Sequence, residues 1–281
     1  MIQKLQCLIT ALKAESDPFI QHLRLKRDSA LNFPYFVNHK LNVGLIGVGV
    51  GKKNIKSRIN DFLKLNNHKE VQFINVGIAG GKKSKTNIGE LFMINKILDD
   101  SSDKKYYPEI IIDHGLNESS ITTVGTPVLD GGKKYDTLVD MESHEIFSTC
   151  SKFVPVHNIS IIKLVSDHMD GQELFSKPSV VSELFKEKMD EIIHFINQFK
   201  IIDKMVTPIL LEKDLVWIEN TKGKYLLTAS QADQLINYAK GYRLRNHENV
   251  LPELDIQIPQ TKINQKAVSY THLTLPTKVT G

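Results

Sequence analysis

Three carboxylates in this chain, Glu15, Glu142 and Asp167, stand where their types and placement permit a shared chemistry. Each directly follows, or lies just beyond, the carboxyl end of a β-type run: Leu5 to Ala11, Leu138 to Asp140, and Ile159 to Val165. In open α/β sheets ligands bind in the crevice outside those strand ends, so the three can converge on one ligand and divide general acid and base work. Two glycine turns, Gly47 to Gly51 and Gly77-Ile78-Ala79-Gly80-Gly81, fall at the same edge, where they let backbone approach a ligand closely. An alternative is open for each acid: Glu15 capping a helix start, Glu142 complementing a helix dipole, and Asp167 beginning a loop. Either reading accounts for any one of them.

Other signals fail on inspection. A P-loop ending in Gly51-Lys52 needs glycine where Ile46 stands and Ser or Thr where Lys53 stands. A dinucleotide fingerprint starting at Gly47 needs its third glycine where Lys52 stands. His144-Glu145 cannot open a zincin motif, because the second histidine position is Ser148, and the remaining histidines show no ligand spacing. His157, His168 and His194 read as surface or packing residues. No Gly-x-Ser-x-Gly elbow exists. We expect neither metal nor organic cofactor.

The elements that must position the acids alternate. Apolar runs at Leu5 to Ala11, Val43 to Val48, Val71 to Val76, Leu91 to Ile97, Ile110 to Asp113, Ile121 to Val124 and Ile159 to Val165 predict strands. Helical spacing over Asn54 to Leu65 (Ile55, Ile59, Phe62, Leu63), Glu142 to Ser151 and Ser179 to Phe199 predicts helices between them. This alternation implies an α/β layered fold on a largely parallel or mixed sheet. The character changes after Phe199. Residues 201–266 read as a small accessory element with strands at Thr207 to Leu211 and Leu215 to Glu219, a turn at Thr221-Lys222-Gly223-Lys224, and a helix from about Ser230. Residues 267–281 resemble translated read-through and are read as a non-native tail.

Composition narrows the function classes. The chain has 281 residues, 41% hydrophobic and 24% charged, enough to bury a core without disulfides or a structural metal. No apolar run approaches a spanning helix and the start carries no leader pattern, so neither membrane insertion nor secretion is expected. Cys7 and Cys150 sit in apolar surroundings, which fits a reduced, cytoplasmic compartment. The net charge of +4 is dispersed as lysine pairs near turns, without the basic-aromatic interleaving of a nucleic-acid reader.

The order Ala11-Leu12-Lys13-Ala14-Glu15, Gly47-Val48-Gly49-Val50-Gly51-Lys52, Asn75-Val76-Gly77-Ile78-Ala79-Gly80-Gly81, Val139-Asp140-Met141-Glu142-Ser143 and Ser166-Asp167 resembles the purine nucleoside phosphorylase superfamily. Within it the resemblance is to the 5′-methylthioadenosine/S-adenosylhomocysteine nucleosidases, and it covers residues 4–200, a catalytic domain set at 1–200. It implies a three-layer α/β/α sandwich with a central mixed sheet. It also implies roles. Glu15 matches the glutamate that activates the attacking water, Met141 and Glu142 the pair under the ribose, Asp167 the acid that protonates the purine at N7, and Ser166 its neighbour. Gly49, Gly77, Ile78, Ala79 and Gly80 are the substrate-facing turn positions. The geometry is analogous to glycoside hydrolysis, and it requires a protonated Asp167 beside an ionised Glu15.

The chain departs from the family at several points. Ile78 stands where many nucleosidases carry a small polar residue, and the Val124 to Asp140 segment is short and lacks the usual Gly-Asp-x-Phe signature. Phosphorylases of the superfamily place an arginine where this chain has Asn75, which favours water over phosphate as nucleophile. The reading is a nucleosidase acting on a purine nucleoside, 5′-methylthioadenosine/S-adenosylhomocysteine-like. Its rivals are a phosphorolytic enzyme and a nucleoside-binding module with little turnover. The resemblance further implies a homodimer, with the loop Lys104-Lys105-Tyr106-Tyr107-Pro108 closing the partner's pocket or, alternatively, anchored by its own tyrosines.

Overall fold

The computed structural model describes residues 4–66, 71–102, 104–171, 177–202, 209–246 and 250–252. Two compact units divide the chain, Met1–Met205 and Val206–Gly281.

In the first unit the apolar runs become β1 (Leu5–Thr10), β4 (Val43–Gly47), β5 (Val71–Gly80), β6 (Leu91–Asp99), β8 (Asn117–Thr123) and β10 (Ile159–Asp167). Short strands β2 (Lys26–Arg27), β3 (Tyr35–Asn38), β7 (Lys105–Tyr106) and β9 (Leu138–Asp140) complete one mixed sheet, in the order β10-β6-β8-β9-β5-β1-β4-β3-β2 with β7 on β6. β1, β4, β5 and β10 run parallel, so their carboxyl ends lie at one edge. β10 also pairs with β5, which closes β10, β6, β8, β9 and β5 into a ring. Through an antiparallel contact of Gly80 with Val139, the three-residue β9 brings Asp140 to that edge as well.

Both faces of the sheet are covered, which is why its strands are near-continuous apolar runs. On one face α2 (Ile55–Leu65) and α3 (Ser143–Cys150) lay Ile55, Ile59, Phe62 and Phe147 against Ile9, Ile46, Phe73 and Ile161. On the other, α1 (Lys13–His22), α4 (Pro178–Glu187) and α5 (Met189–Phe199) lay Phe19, Phe185, Ile192 and Phe195 against Leu8, Leu45, Ile74 and Ile162. The architecture is the three-layer α/β/α sandwich with a central mixed sheet.

Several local expectations need correction. Ile110 to Asp113 is not a strand: it finds no pairing partner, and Ile110 and Ile112 instead pack on the α1/α4/α5 core. The helix expected over Ser179 to Phe199 is two, broken at Lys188, which ends α4 and caps α5. Strands β2, β3 and β7 were not anticipated, and α1 was foreseen only as the helix start that Glu15 would cap.

In the second unit, Leu215 to Glu219 and the expected Lys-Gly-Lys turn both lie inside one helix, α6 (Glu212–Tyr225). Ile209 to Leu211 are not strand either, and 207–208 lie outside the described residues. The helix expected from Ser230 is α7 (Ala229–Arg245), whose Thr228 hydroxyl accepts from the Gln231 N–H. Leu210, Ile218, Leu235, Ala239 and Leu251 form the small core of this unit. Arg243 and Asp214 pair within it. The 267–281 tail lies outside the described residues.

Candidate functional site

Glu15 reaches the site because β1 ends at Thr10 and the chain turns at once into α1, placing this carboxylate in the first helical turn. It does cap that helix start. Its Oε2 accepts from the Ala11 and Leu12 amides at 2.7 and 2.9 Å, while Oε1 accepts from the Ile78 amide of β5 at 2.9 Å. Glu15 thus spans two elements, since one oxygen satisfies the helix and the other reaches Ile78 in β5, which continues as strand through Gly80 where the sequence predicted a glycine turn. A Cβ on Gly77 would stand 3.2 Å from both Glu15 Oε1 and Lys163 Nζ, so this position needs glycine for close approach.

Lys163 is the residue that sequence reasoning missed. It lies mid-strand in β10, 1% exposed, among isoleucines and leucines. Its Nζ pairs with Asp140 Oδ2 at 2.9 Å, and Glu142 and Glu15 act on it electrostatically. Burial alone would push the ammonium down, yet the three acids hold it above the usual lysine range. Asp140 is likewise held below the usual carboxylate range despite burial, by Lys163 and by the Ser143 and Thr123 hydroxyls at 2.5 and 2.8 Å. A lysine inside an apolar strand was the available signal, because such a charge persists only when partnered.

Glu142 follows β9 at the N-cap position of α3 but makes no side-chain cap bond; its Oε1 instead accepts from the Gly51 amide at 2.7 Å, across the first glycine turn. Burial, reinforced by the neighbouring Asp140, raises its pKa to about 7. Gly49 and Gly51 adopt φ of +80° and +75°, which explains the glycines of that turn. Met141 beside Glu142 packs on Val124, Val139 and Met169.

Asp167 ends β10 next to Gly80. Its Oδ2 accepts from the Ser166 hydroxyl and its Oδ1 from the Met169 amide, both at 2.7 Å. Burial raises its pKa, against the lowering effect of those two donors. Burial raises Glu15 as well, in the direction opposite to the expected ionised state, although its three backbone donors and Lys163 pull it back. A Cβ on Gly80 would lie 3.3 Å from Asp167 Oδ1 and 2.6 Å from Met169 Cγ, so the end of β5 packs closely on this acid as Gly77 accommodates Glu15. The Ala79 carbonyl faces the Ser166 hydroxyl at 3.3 Å, and Ile78 is half-buried on the opposite core.

The structure thus gathers Glu15, Asp140 and Glu142 around Lys163, with Asp167, Ser166 and the Gly77–Gly80 end of β5 beside them at the same sheet edge. Asn75 does not join this group: its Nδ2 donates to the Ile9 carbonyl at 2.9 Å, tying β5 to β1. Among the described residues no three His, Cys, Asp or Glu side chains are arranged to hold a metal ion.

No protein-family model matches the chain, and no curated protein is detectably similar to it in sequence. Solved structures are similar in fold. An MTAN from Chlamydia trachomatis bound to MTA superposes with a TM-score of 0.54 at 22% identity, covering 67% of this chain and 97% of that one. The 5′-methylthioadenosine nucleosidase of Arabidopsis thaliana gives 0.57 at 18% identity, covering 68% and 95%. A futalosine hydrolase mutant of Helicobacter pylori gives 0.55 at 14% identity, covering 70% and 99%. The chain has the nucleoside phosphorylase fold, as the sequence resemblance implied. Residues beyond that fold account for roughly the remaining third of its length.

Proposed function

We propose that this protein is an N-glycosyl hydrolase of purine nucleosides, with 5′-thio-substituted adenosines as the preferred class. The observation that carries the reading is the gathering of Glu15, Asp140 and Glu142 around one buried lysine, one strand-end away from a buried, donor-held Asp167. A purine leaves poorly as an anion, so an acid must deliver a proton as the bond breaks. Asp167, raised by burial, is suited to carry that proton to N7. As the base departs, the sugar gains positive charge, which the surplus carboxylates stabilise. Glu142 accepts the sugar hydroxyls, and Glu15, fixed by its three amides, orients the attacking water.

Lys163 is also the feature that favours phosphorolysis, since a phosphate oxygen needs a cation. Two facts weigh for water. Lys163 is already paired with Asp140, and three acids facing one base repel a phosphate dianion. A homodimer, which rests on the resemblance, and a cytoplasmic location, which rests on the apolar setting of Cys7 and Cys150, remain parts of the proposal. In the candidate closing loop, Tyr106 packs on His144 and Phe147 while Tyr107 stays exposed. No helix among the described residues is long and apolar enough to cross a membrane.

The test is release of free base from a panel of purine nucleosides, by dialysed protein with and without phosphate. We expect base and free pentose without phosphate. Silence until phosphate is added, followed by ribose 1-phosphate, overturns hydrolysis in favour of phosphorolysis; binding without release leaves a nucleoside-binding module.

A further inference from the structure

Among the described residues, four that are not glycine adopt the left-handed backbone: Arg24, Asn42, Met169 and Leu226. Three have ordinary reasons. Arg24 and Leu226 sit just past the ends of α1 and α6, and Asn42 turns β3 into β4. Met169, at φ +56°, ends no helix and joins no hairpin; it follows Asp167 and His168 directly. Methionine lacks the short polar side chain that lets Asn or Asp visit this region, so its surroundings impose it.

Contacts on three sides hold it there. The Met169 amide donates to Asp167 Oδ1 at 2.7 Å, and its carbonyl accepts from the Gly131 amide at 2.6 Å. Its side chain, 2% exposed, is wedged between Gly80 of β5 and Gly132. A Cβ on Gly80 would crowd Met169 Cγ, and one on Gly132 would collide with its Sδ and Cε, while Val124 and Val139 pack on it as well. Both β5 and the Gly131–Gly132 turn thus act on Asp167 through this one residue.

We infer that Met169 is a positioning residue for Asp167: its left-handed backbone aims a fixed amide at Oδ1 and so leaves Oδ2 as the oxygen that carries the proton. The inference rests on the proposed role of Asp167 as the acid that protonates the leaving base. Beside Oδ2 stands the Ser166 hydroxyl at 2.7 Å, which also lies 3.3 Å from the Ala79 carbonyl and has one hydrogen to give. With the proton on Oδ2, Ser166 accepts from it and donates to Ala79. As the proton passes from Oδ2 to N7 and the glycosidic electron pair moves onto the base, the hydroxyl turns to donate to the carboxylate left behind. The attacking water gives its hydroxide to the sugar, and its remaining proton restores the acid. The charged groups that act most on Asp167 are Asp170, which raises it, and His168, which lowers it. Both belong to its own turn, and β5 and the Gly131–Gly132 turn meet that turn with glycines.

Two substitutions in the full chain separate backbone from packing. Met169→Gly accepts the left-handed conformation without strain but leaves a cavity, whereas Met169→Val keeps an apolar side chain whose branched Cβ disfavours that backbone. Each is compared with the wild type in the pH dependence of kcat for base release and in the Asp167 carboxyl titration followed by carbon NMR. We expect Met169→Gly to melt at a lower temperature yet keep the wild-type carboxyl titration and alkaline limb, where Asp167 loses its proton. Met169→Val should move both upward by about one pH unit, because the carboxylate loses an amide donor, and lower kcat about tenfold with KM little changed. In the wild type the Met169 amide resonance should titrate together with Asp167, a reading that needs no variant to fold. A shift in Met169→Gly as large as that in Met169→Val, no shift in either, or a Met169 amide indifferent to Asp167 overturns the inference. If the titrations behave as expected and the wild type releases no base, the positioning stands and the nucleosidase reading fails.

Discussion

Asp140 in the central sheet and Asp214 in the C-terminal unit each meet a buried cation, but the two pairs close differently. Arg243 reaches Asp214 through Nε at 3.0 Å and again through Nη2, and the Leu211 amide adds a donor at 2.8 Å. One guanidinium fork matches one carboxylate, which is held below its usual range. Lys163 instead has a single point charge for three acids. Asp140 takes it, and the excess negative charge helps raise Glu142 to about 7. The Arg243–Asp214 pair ties its unit together, whereas in the crowded cluster Glu142, raised by burial and then by Asp140, titrates at about 7, where a carboxyl can exchange a proton. The same ingredients, buried acid and buried base, thus form an ion pair in one region and, in the other, the cluster proposed above as the reaction centre.

The largest effects test this contrast by breaking each pair. Lys163→Met strands Asp140 and should cost about 3–5 kcal/mol in urea unfolding, with base release lowered at least about 100-fold. Arg243→Met should destabilise by a comparable amount and leave base release per folded molecule unchanged. Replacing the stranded acid as well, with Asp140→Leu or Asp214→Leu, should recover much of the stability in both regions. Only the Asp214/Arg243 double variant should keep its turnover. Full turnover in the Asp140/Lys163 double variant would erase the distinction.

An intermediate effect lies in pH dependence. Glu142 has a folded pKa of about 7, above its ordinary 4.5, so its contribution to stability is present below about 4.5 and fades as pH rises through about 7. Glu142→Gln removes that titration. Its melting temperature should therefore gain on the wild type between pH 5 and pH 8, and nucleoside affinity of the wild type should rise across the same window while that of the variant stays flat. A constant difference in melting temperature would remove Glu142 from the titrating cluster.

The smallest effects come from two glycines. Gly77→Ala pushes a methyl to within 3.2 Å of Glu15 and Lys163 and should lower stability by about 1–3 kcal/mol and base release several-fold. Gly223→Ala, inside α6 with nothing within 4 Å, should stabilise by about 0.5–1 kcal/mol and leave activity alone. Differential scanning calorimetry resolves both signs.

The layered fold was legible because doubly covered strands are mostly apolar, as β1, β4, β5 and β10 are, with Gln6, Gln72, Asn75 and Lys163 among their buried polar exceptions. The C-terminal unit was not, for a reason visible in α6. Leu215-Val216-Trp217-Ile218-Glu219 has the residue types of a strand, yet Ile218 and Thr221 are buried on one helical face and Asp214 is fixed by Arg243, 29 residues away. Local propensity yields to such distant partners. Ile110 to Asp113 misled in the same way, with strand-forming side chains but no neighbouring strand to pair with. In the site, Glu15, Glu142 and Asp167 were readable from their place after strand ends. Lys163 was hidden because its pairing with Asp140 depends on β9 crossing to β5, a ring closure that no local pattern encodes.

The central claim, that these acids cleave a glycosidic bond, is tested most directly by quantifying free purine released by phosphate-free protein and its Asp167→Asn, Glu142→Gln and Glu15→Gln variants. Asp167→Asn keeps shape but cannot deliver a proton, so release should fall by about two to four orders of magnitude while nucleoside still binds. Glu142→Gln should weaken binding and turnover together, and Glu15→Gln should chiefly slow hydrolysis. Wild-type release in all three variants would contradict the account and leave the carboxylates as helix caps and strand ends.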